Sequence, residues 1–219
     1  MELAGKKINF LGDSITEGHG TSSEDKIYLN LIKEKYNLSC ARNYGISGTR
    51  IARQTKPSAE LRFDLDFCRR ADEMEDDADV VVVFGGTNDY GHGDAPLGTF
   101  DDRCDNTFYG ACHVLFEKLI KKYPKAEIVV MTPLHRVDEN NMRGDCEKAY
   151  NVAKLETYVD IIKEVAKYYA LPVLDLYSVS GIQPNVEFIK EKYAPDGLHP
   201  NDDGHVKIAK RLAAFLKAL

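Results

Sequence analysis

The chain has 219 residues, of which 43% are hydrophobic and 29% are charged, and its formal net charge is −6. These values are ordinary for a globular protein and argue against a disordered chain. The length suits one α/β domain with a sizeable core, so we predict a single domain over residues 1–219.

The distribution of charge argues against two classes of partner. The densest run of charge is acidic and lies within residues 72–79, which we interpret as a solvated helix end and loop rather than a site. Proteins that bind nucleic acids usually carry a basic patch, and a bilayer is spanned by about 20 apolar residues. The sequence has neither feature, so we expect neither a nucleic acid nor a membrane as partner.

The number and spacing of the cysteines indicate the cellular compartment of the protein. The cysteines are Cys40, Cys68, Cys104, Cys112 and Cys146. Their odd number, wide spacing and lack of a Cys-x-x-Cys pair argue against a disulfide framework and a structural zinc site. Residues 1–7 show no basic region followed by an apolar stretch, so we expect no signal peptide and a cytoplasmic location.

Predicted strands and helices alternate along the chain. The strands are expected at residues 7–11, 39–44, 79–84, 126–131 and 171–176, and the helices within 28–36, 108–120, 152–169 and 206–216. This alternation predicts right-handed βαβ units, and hence a parallel sheet covered by helices on both faces. The β-branched run in 79–84 is typical of a strand that is buried on both faces.

Three clusters of polar residues and glycines fall just after predicted strands. Ser14, Gly48 and Asn88 come after the first, second and third strands. The carboxyl ends of parallel strands lie on one edge of the sheet, so we expect the three to converge there. Asp196 and His199 precede the last helix and could reach the same edge.

These five residues are the parts needed for acyl transfer by a serine. Ser14 would be the nucleophile, His199 its base, and Asp196 the group that orients the histidine. The backbone amides of Ser14 and Gly48 and the side-chain amide of Asn88 would stabilise an oxyanion. Taken singly, each has a simpler interpretation as a helix cap, a turn glycine, an Asx turn or an ordinary Asp-Gly turn.

Four short segments together resemble the SGNH hydrolases, also called GDSL esterases/lipases. They are Gly12-Asp13-Ser14-Ile15-Thr16, Asn43-x-Gly45-x-x-Gly48, Gly85-Gly86-Thr87-Asn88-Asp89 and Asp196-Gly197-Leu198-His199-Pro200, in the family's order. Ile15 replaces the leucine of the family name. The resemblance implies a flavodoxin-like three-layer α/β/α fold with strand order 2-1-3-4-5 and no metal. It also implies a triad of Ser14, Asp196 and His199, with Gly48 and Asn88 completing the oxyanion hole.

The substrate is predicted from the loops expected around the serine. Residues 90–106 and 135–147 are polar and suggest no wide apolar surface of the kind that a long-chain lipase needs. We therefore expect a small-molecule ester of a short acyl group, acetyl first, on a polar alcohol such as a sugar. Alternatives are a lysophospholipase, an acyl-thioester hydrolase or a non-catalytic carbohydrate-binding relative. A homo-oligomer is compatible with the sequence.

Cofactors and further site residues are weighed in the same way. The first turn lacks a glycine-rich phosphate cradle, so we expect no flavin or nucleotide and no other cofactor. His19, His92 and His135 are expected in loops near the site. We expect His113 and His205 to be surface or packing residues, and Asp13 to stabilise its turn. None of these has convincing metal-ligand spacing.

Overall fold

The fold is a five-stranded parallel sheet. A computed structural model of the protein describes residues 1–145, 148 and 152–219. The strands are β1 Lys7–Gly12, β2 Cys40–Gly45, β3 Val80–Phe84, β4 Glu127–Met131 and β5 Val173–Leu174. Their order across the sheet is β2-β1-β3-β4-β5 and every pairing is parallel. The predicted topology is confirmed.

Helices connect the strands. They are α1 Ser14–Glu17, α2 Tyr28–Tyr36, α3 Phe67–Arg70, α4 Thr87–Gly91, α5 Phe108–Lys122, α6 Leu155–Tyr168, α7 Leu176–Val179, α8 Glu187–Tyr193 and α9 Asp202–Ala218. The predicted amphipathic helices correspond to α2, α5, α6 and α9. Short helices such as α1 and α4 follow strands directly, where too few residues are present for a periodic pattern to reveal them.

Alternate residues of each strand pack into separate cores on the two faces of the sheet. Val81 and Val83 belong to the core that contains residues of α5 and α6, whereas Val80 and Val82 belong to the core that contains residues of α2 and α9. All five residues of β3 are buried. The sheet therefore lies between two helical layers, which confirms the predicted three-layer α/β/α class.

Strand β5 is shorter than predicted. Residues 171–176 were expected to form it, but the strand contains only Val173 and Leu174. The Leu171 amide still donates to the carbonyl oxygen of Ala166 at the end of α6, at 2.9 Å. On the other side, Asp175 already caps α7 by accepting from the Ser178 amide. Helix ends on both sides limit this edge strand.

Two histidines are packing residues, as predicted. His113 is fully buried and its Nδ1 lies 3.1 Å from the Tyr169 hydroxyl. His205 is also fully buried, and its Nδ1 accepts a hydrogen bond from the Tyr28 amide at 3.1 Å. Burial lowers the pKa of His205 to about 4, so the ring is neutral at neutral pH.

No helix in the described part of the chain has the length and apolar character needed to span a bilayer. Four cysteines lie among the described residues and all are free thiols: Cys40, Cys68, Cys104 and Cys112. Cys146 lies outside the described residues, as do residues 146–147 at the end of the predicted loop 135–147.

Candidate active site

Ser14 is presented at the carboxyl end of β1 by a sharp strand-to-helix turn. It is the first residue of α1, and Asp13 caps this helix by accepting from the Ile15 amide at 3.1 Å. Asp13 is therefore the turn-stabilising residue that the sequence predicts, and Ser14 is not a cap. Burial raises the pKa of the Asp13 carboxyl to about 7, although its contact with the Ile15 amide opposes that rise.

The turn before α9 brings two more predicted residues to Ser14. The Ser14 Oγ lies 3.1 Å from Nε2 of His199, and Nδ1 of His199 lies 2.6 Å from an Asp196 carboxylate oxygen. An ionised carboxylate only accepts hydrogen bonds, so the neutral ring carries its proton on Nδ1. Nε2 is then the acceptor, and the serine hydroxyl donates to it.

The Asp196 carboxylate is itself fixed by the turn. Its second oxygen accepts from the amides of Leu198 and His199, at 2.8 and 2.7 Å. Burial disfavours the ionised form, but the hydrogen bonds from the His199 ring and these two amides outweigh it and lower the pKa of Asp196. The group is therefore ionised at neutral pH.

The His199 ring is suited to accept a proton. Burial lowers its pKa below the ordinary value of 6.5, and the neighbouring Asp196 only partly offsets this effect. The ring is consequently neutral at neutral pH, while the carboxylate beside it would stabilise the imidazolium that proton transfer creates. The arrangement can support general-base catalysis on the serine hydroxyl.

Gly48 lies on the loop after β2, and Asn88 lies beside it in the short helix α4. The Asn88 side-chain amide donates to the carbonyl oxygen of Thr49, the residue after Gly48, at 3.0 Å, which leaves its second N–H for another acceptor. Among the described residues, the backbone amides of Ser14 and Gly48 make no hydrogen bond. Gly48 has φ +75°, a conformation that favours glycine. All three are donors that remain available.

Glu17 fastens the Gly48 loop to the helix that carries Ser14, which the sequence analysis missed. One of its carboxylate oxygens accepts from the Ser47 amide at 2.7 Å and from the Ser47 hydroxyl, and the other accepts from Arg62. Its place three residues after Ser14, directly after the first motif segment, was the available signal. Gly45 permits the close packing, because a Cβ there would lie 2.1 Å from the Glu17 nitrogen.

Arg70 joins the ends of the first two strands. Its buried guanidinium donates to the carbonyl oxygens of Gly12 and Tyr44 and to the Thr49 hydroxyl. Burial lowers the pKa of Arg70 to about 10, so the side chain stays charged at neutral pH. No local pattern identifies Arg70, because the groups that it binds are distant in sequence.

Asp89 positions the backbone beyond the Gly48 loop. Its two carboxylate oxygens accept from the amides of Ile51 and Ala52, both at 2.9 Å. Burial raises the pKa of Asp89 to about 6, and the two amides oppose that rise. Because Asp89 follows Asn88 directly, the same short helix α4 holds the amide donor and ties it to the neighbouring loop.

The three histidines predicted near the site have different surroundings. The His19 ring packs edge-on against His199, with 4.2 Å between ring centroids. His92 lies one turn after Asn88 on the chain, and its Nδ1 is 2.9 Å from the Arg50 guanidinium. His135 contacts Glu139 through Nδ1, at 2.9 Å.

The loop that begins at residue 135 supports the turn that carries the triad residues. The Val137 amide donates to the carbonyl oxygen of Gly197 at 2.9 Å, and a Cβ on Gly197 would clash with Val137. Gly197 has φ +84° and lies between Asp196 and His199. This contact places the described part of the predicted loop 135–147 beside the site.

One group among the described residues brings three possible metal ligands together: His19, Asp196 and His199, with ligand atoms within 4.8 Å of one another. Nδ1 of His199 already contacts Asp196, and Nε2 of the same ring contacts the Ser14 hydroxyl. A metal ligated there would have to displace the contacts that align the serine. The expected absence of a metal stays a prediction.

Comparison with known proteins places this geometry in a family. The pattern of the GDSL-like Lipase/Acylhydrolase family matches residues 10–207. The chain belongs to this family. The match includes all four motif segments, and it supports the hydrolysis of ester bonds as the class of reaction.

Solved structures extend the comparison. A protein from Lactobacillus plantarum is 29% identical, with 98% of each chain covered and a TM-score of 0.83. A possible lipase from Chitinophaga pinensis is 24% identical over 97% of this chain and 98% of its own, with a TM-score of 0.66. No protein with a curated description matches the sequence.

A third structure is similar in fold to this chain. It is a two-domain esterase active on acetylated mannans, 21% identical, with a TM-score of 0.63. The match covers 97% of this chain and 49% of the esterase chain. At this identity, the similarity establishes the shared fold.

Proposed function

We propose that the protein is a serine esterase that hydrolyses short-chain acyl esters, acetyl esters above all, of a polar alcohol such as a sugar. Ser14 is the nucleophile, His199 the general base and Asp196 the group that orients and stabilises the histidine. The observation that carries the proposal is the continuous path from the Ser14 hydroxyl through both ring nitrogens of His199 to Asp196, at 3.1 and 2.6 Å.

The reaction follows from the positions of these groups. Ser14 Oγ attacks the ester carbonyl carbon while its proton passes to Nε2 of His199. The amides of Ser14 and Gly48 and the Asn88 side chain donate to the oxyanion of the tetrahedral intermediate. Its collapse breaks the bond to the alcohol oxygen, which takes the proton from His199. Water then attacks the acyl-serine by the same route and releases the acid.

The preference for a short acyl group and a polar alcohol is supported by the groups around the site. Among the described residues, charged and polar side chains adjoin the site. Arg50 and His92 line the neighbouring cavity, and Arg136 contacts the carbonyl oxygen of Thr87, the residue before Asn88. The esterase active on acetylated mannans has the same fold and adds weight to a sugar acetate. A lysophospholipase or an acyl-thioester hydrolase would prefer a long chain or a thioester.

The compartment and partners are part of the proposal. A cytoplasmic location is supported by the free thiols of the four described cysteines, of which Cys68 and Cys112 are buried. The substrate is a small-molecule ester, and the negative net charge makes a nucleic acid a poor partner. The mechanism needs no cofactor, so activity should persist after treatment with a chelator.

The test is hydrolysis of p-nitrophenyl acetate, butyrate and octanoate by the wild type and by Ser14→Ala. We expect the acetate to be the best substrate and Ser14→Ala to lose about three or more decades of kcat. Ser39→Ala, which replaces an exposed serine, is the matched control and should retain full activity.

Three outcomes would contradict this proposal. Activity that survives Ser14→Ala would exclude the serine mechanism, and faster turnover of octanoate than of acetate would exclude the short-chain preference. If the wild type hydrolyses none of the esters and Ser14 does not react with a fluorophosphonate, the non-catalytic alternative replaces the esterase.

A further inference from the structure

A cavity of about 560 Å³ adjoins the candidate oxyanion hole. The Phe63 ring forms part of its wall and also lies against Gly48, since a Cβ on Gly48 would be 2.7 Å from a ring carbon. His92 lines the same cavity, and its amide donates to the carbonyl oxygen of Asn88 at 3.0 Å. The cavity is therefore bounded by residues that contact both Gly48 and Asn88.

The tautomer of His92 follows from its contact with Arg50. The Arg50 guanidinium lies 2.9 Å from Nδ1 of His92, and a guanidinium only donates hydrogen bonds. Nδ1 must therefore be the acceptor, and the proton of the neutral ring is on Nε2. Burial, with added repulsion from Arg50, lowers the pKa of His92 to about 4, so the ring is neutral at neutral pH.

The Arg50 guanidinium beside His92 is held in place by several contacts. The Arg50 side chain is 5% exposed. Nη1 donates to the carbonyl oxygen of Phe63 at 2.9 Å and lies 3.4 Å from the Asp64 carboxylate, and Ser58 contacts both terminal nitrogens. These contacts fix the guanidinium and, through it, the direction of the His92 ring. Among the described residues, Nε2 of His92 has no hydrogen-bond partner.

The charges and size of the cavity indicate which half of an ester it can take. Arg50 and Lys56 on its wall are balanced by Glu60 and Asp94, so the lining carries no net charge. An acetyl group is far too small to fill the space, which falls in the usual range for whole ligands. A neutral alcohol with several hydroxyl groups fits this lining better than a phosphate headgroup does.

We propose that this cavity binds the alcohol half of the substrate, a neutral polyhydroxyl compound such as a sugar, and that Nε2–H of His92 donates to one of its oxygens. The Phe63 ring supplies an apolar wall against which a sugar face can pack. This proposal rests on the proposed esterase function and adds the class of alcohol and the residue that selects it. Arg50 is the positioning residue for His92.

The test compares a monoacetylated methyl glucoside with p-nitrophenyl acetate, whose alcohol has no hydroxyl group to receive the bond. For His92→Phe, which keeps a ring but removes the donor, we expect the ratio of the two kcat/KM values to shift about 10-fold or more against the sugar acetate. His92→Gln, which retains an N–H donor, should recover much of the ratio. Nitrogen-15 NMR of the His92 ring should show a protonated Nε2 and an unprotonated Nδ1.

Several results would overturn the inference. An unchanged ratio in His92→Phe would exclude His92 as a selector of the alcohol, and a proton on Nδ1 would exclude the donor assigned to it. A wild type that hydrolyses p-nitrophenyl acetate but not the sugar acetate would refute the polyhydroxyl substrate and leave the esterase intact. Activity that survives Ser14→Ala would instead refute the proposed esterase, and this inference with it.

Discussion

At the carboxyl end of the sheet, Arg70, Asp13 and Asp89 are buried and bonded to backbone groups. At the amino end, a group of charged side chains around Asp77 is more exposed and its members pair with one another. Arg70 is 4% exposed and Asp13 is 2% exposed. At the other end, Asp77 pairs with Lys7 and Arg42, both at 2.6 Å, and about half of its side chain is accessible to solvent.

The difference reflects what each end must do. Exposed ion pairs contribute little to stability, because water and salt screen them. The acidic residues within 72–79 are exposed, so this run forms a solvated surface, as predicted. A buried charge has a large desolvation cost and persists only where several partners satisfy it. At the carboxyl end, those partners are the loops that hold Ser14, Gly48 and Asn88. Burial of charge there orders the site.

The largest expected effect is that of Arg70→Met. It removes the donor to Gly12, Tyr44 and Thr49 and leaves their acceptors buried, so the free energy of unfolding should fall by about 3–5 kcal/mol. Urea denaturation measures this loss. Arg69→Met, which replaces an exposed neighbour, is the matched control. Its free energy of unfolding should equal that of the wild type. Equal losses in both variants would contradict the comparison.

The second prediction uses pH to separate the two ends. In the folded protein the pKa of Asp13 is about 7, against 3.8 when exposed, so between these values the native state holds a proton that the unfolded chain has released. Stability from this group therefore falls as pH rises. Asp13→Asn should lack this fall. The difference in free energy of unfolding between the variant and the wild type should therefore shift by about 2–3 kcal/mol in favour of the variant as pH rises from 5 to 8.

The control for this prediction is Asp77→Asn at the amino end. The contacts with Lys7 and Arg42 lower the pKa of Asp77, so it is ionised in both states across the same range. Its difference from wild type in urea denaturation should be independent of pH. If the difference in stability between Asp13→Asn and the wild type were also independent of pH, Asp13 would titrate like an exposed acid.

A smaller effect is expected from Glu17→Gln. This change removes the charge that binds Ser47 and Arg62 but keeps the shape of the side chain, so kcat should fall about 10-fold, or about 1.4 kcal/mol, through misplacement of the Gly48 amide. Steady-state kinetics with p-nitrophenyl acetate measures the loss. Glu24→Gln, on an exposed 3₁₀ turn, should leave kcat unchanged. A loss confined to KM would argue against an effect on the oxyanion hole.

The smallest effect is expected from Asp77→Asn on activity and on stability at neutral pH. The pairs it breaks are exposed, so the urea midpoint and kcat should both match wild type. Repeating the measurement in high salt should make no difference. A clear loss of kcat would mean that the amino end of the sheet is coupled to the site.

How far the site could be predicted depends on how local each signal is. Ser14, Asp196 and His199 lie in short motif segments, and the fold brings their side chains into contact. Their catalytic roles stay a proposal. Glu17 directly follows the first motif segment but was missed, because its partner Ser47 belongs to another loop. Arg70 has no local signal at all.

The sequence by itself determined the alternation of strands and helices, the two buried faces of β3 and the segments that carry the polar residues. These features depend on local periodicity and on residues near each other in the chain. Tertiary structure decided the rest: the burial that shifts the pKa of Asp13 and His92, the Arg50 contact that sets the His92 tautomer, and the cavity beside Gly48. The physical reason is that desolvation and hydrogen-bond direction depend on groups brought together from distant segments.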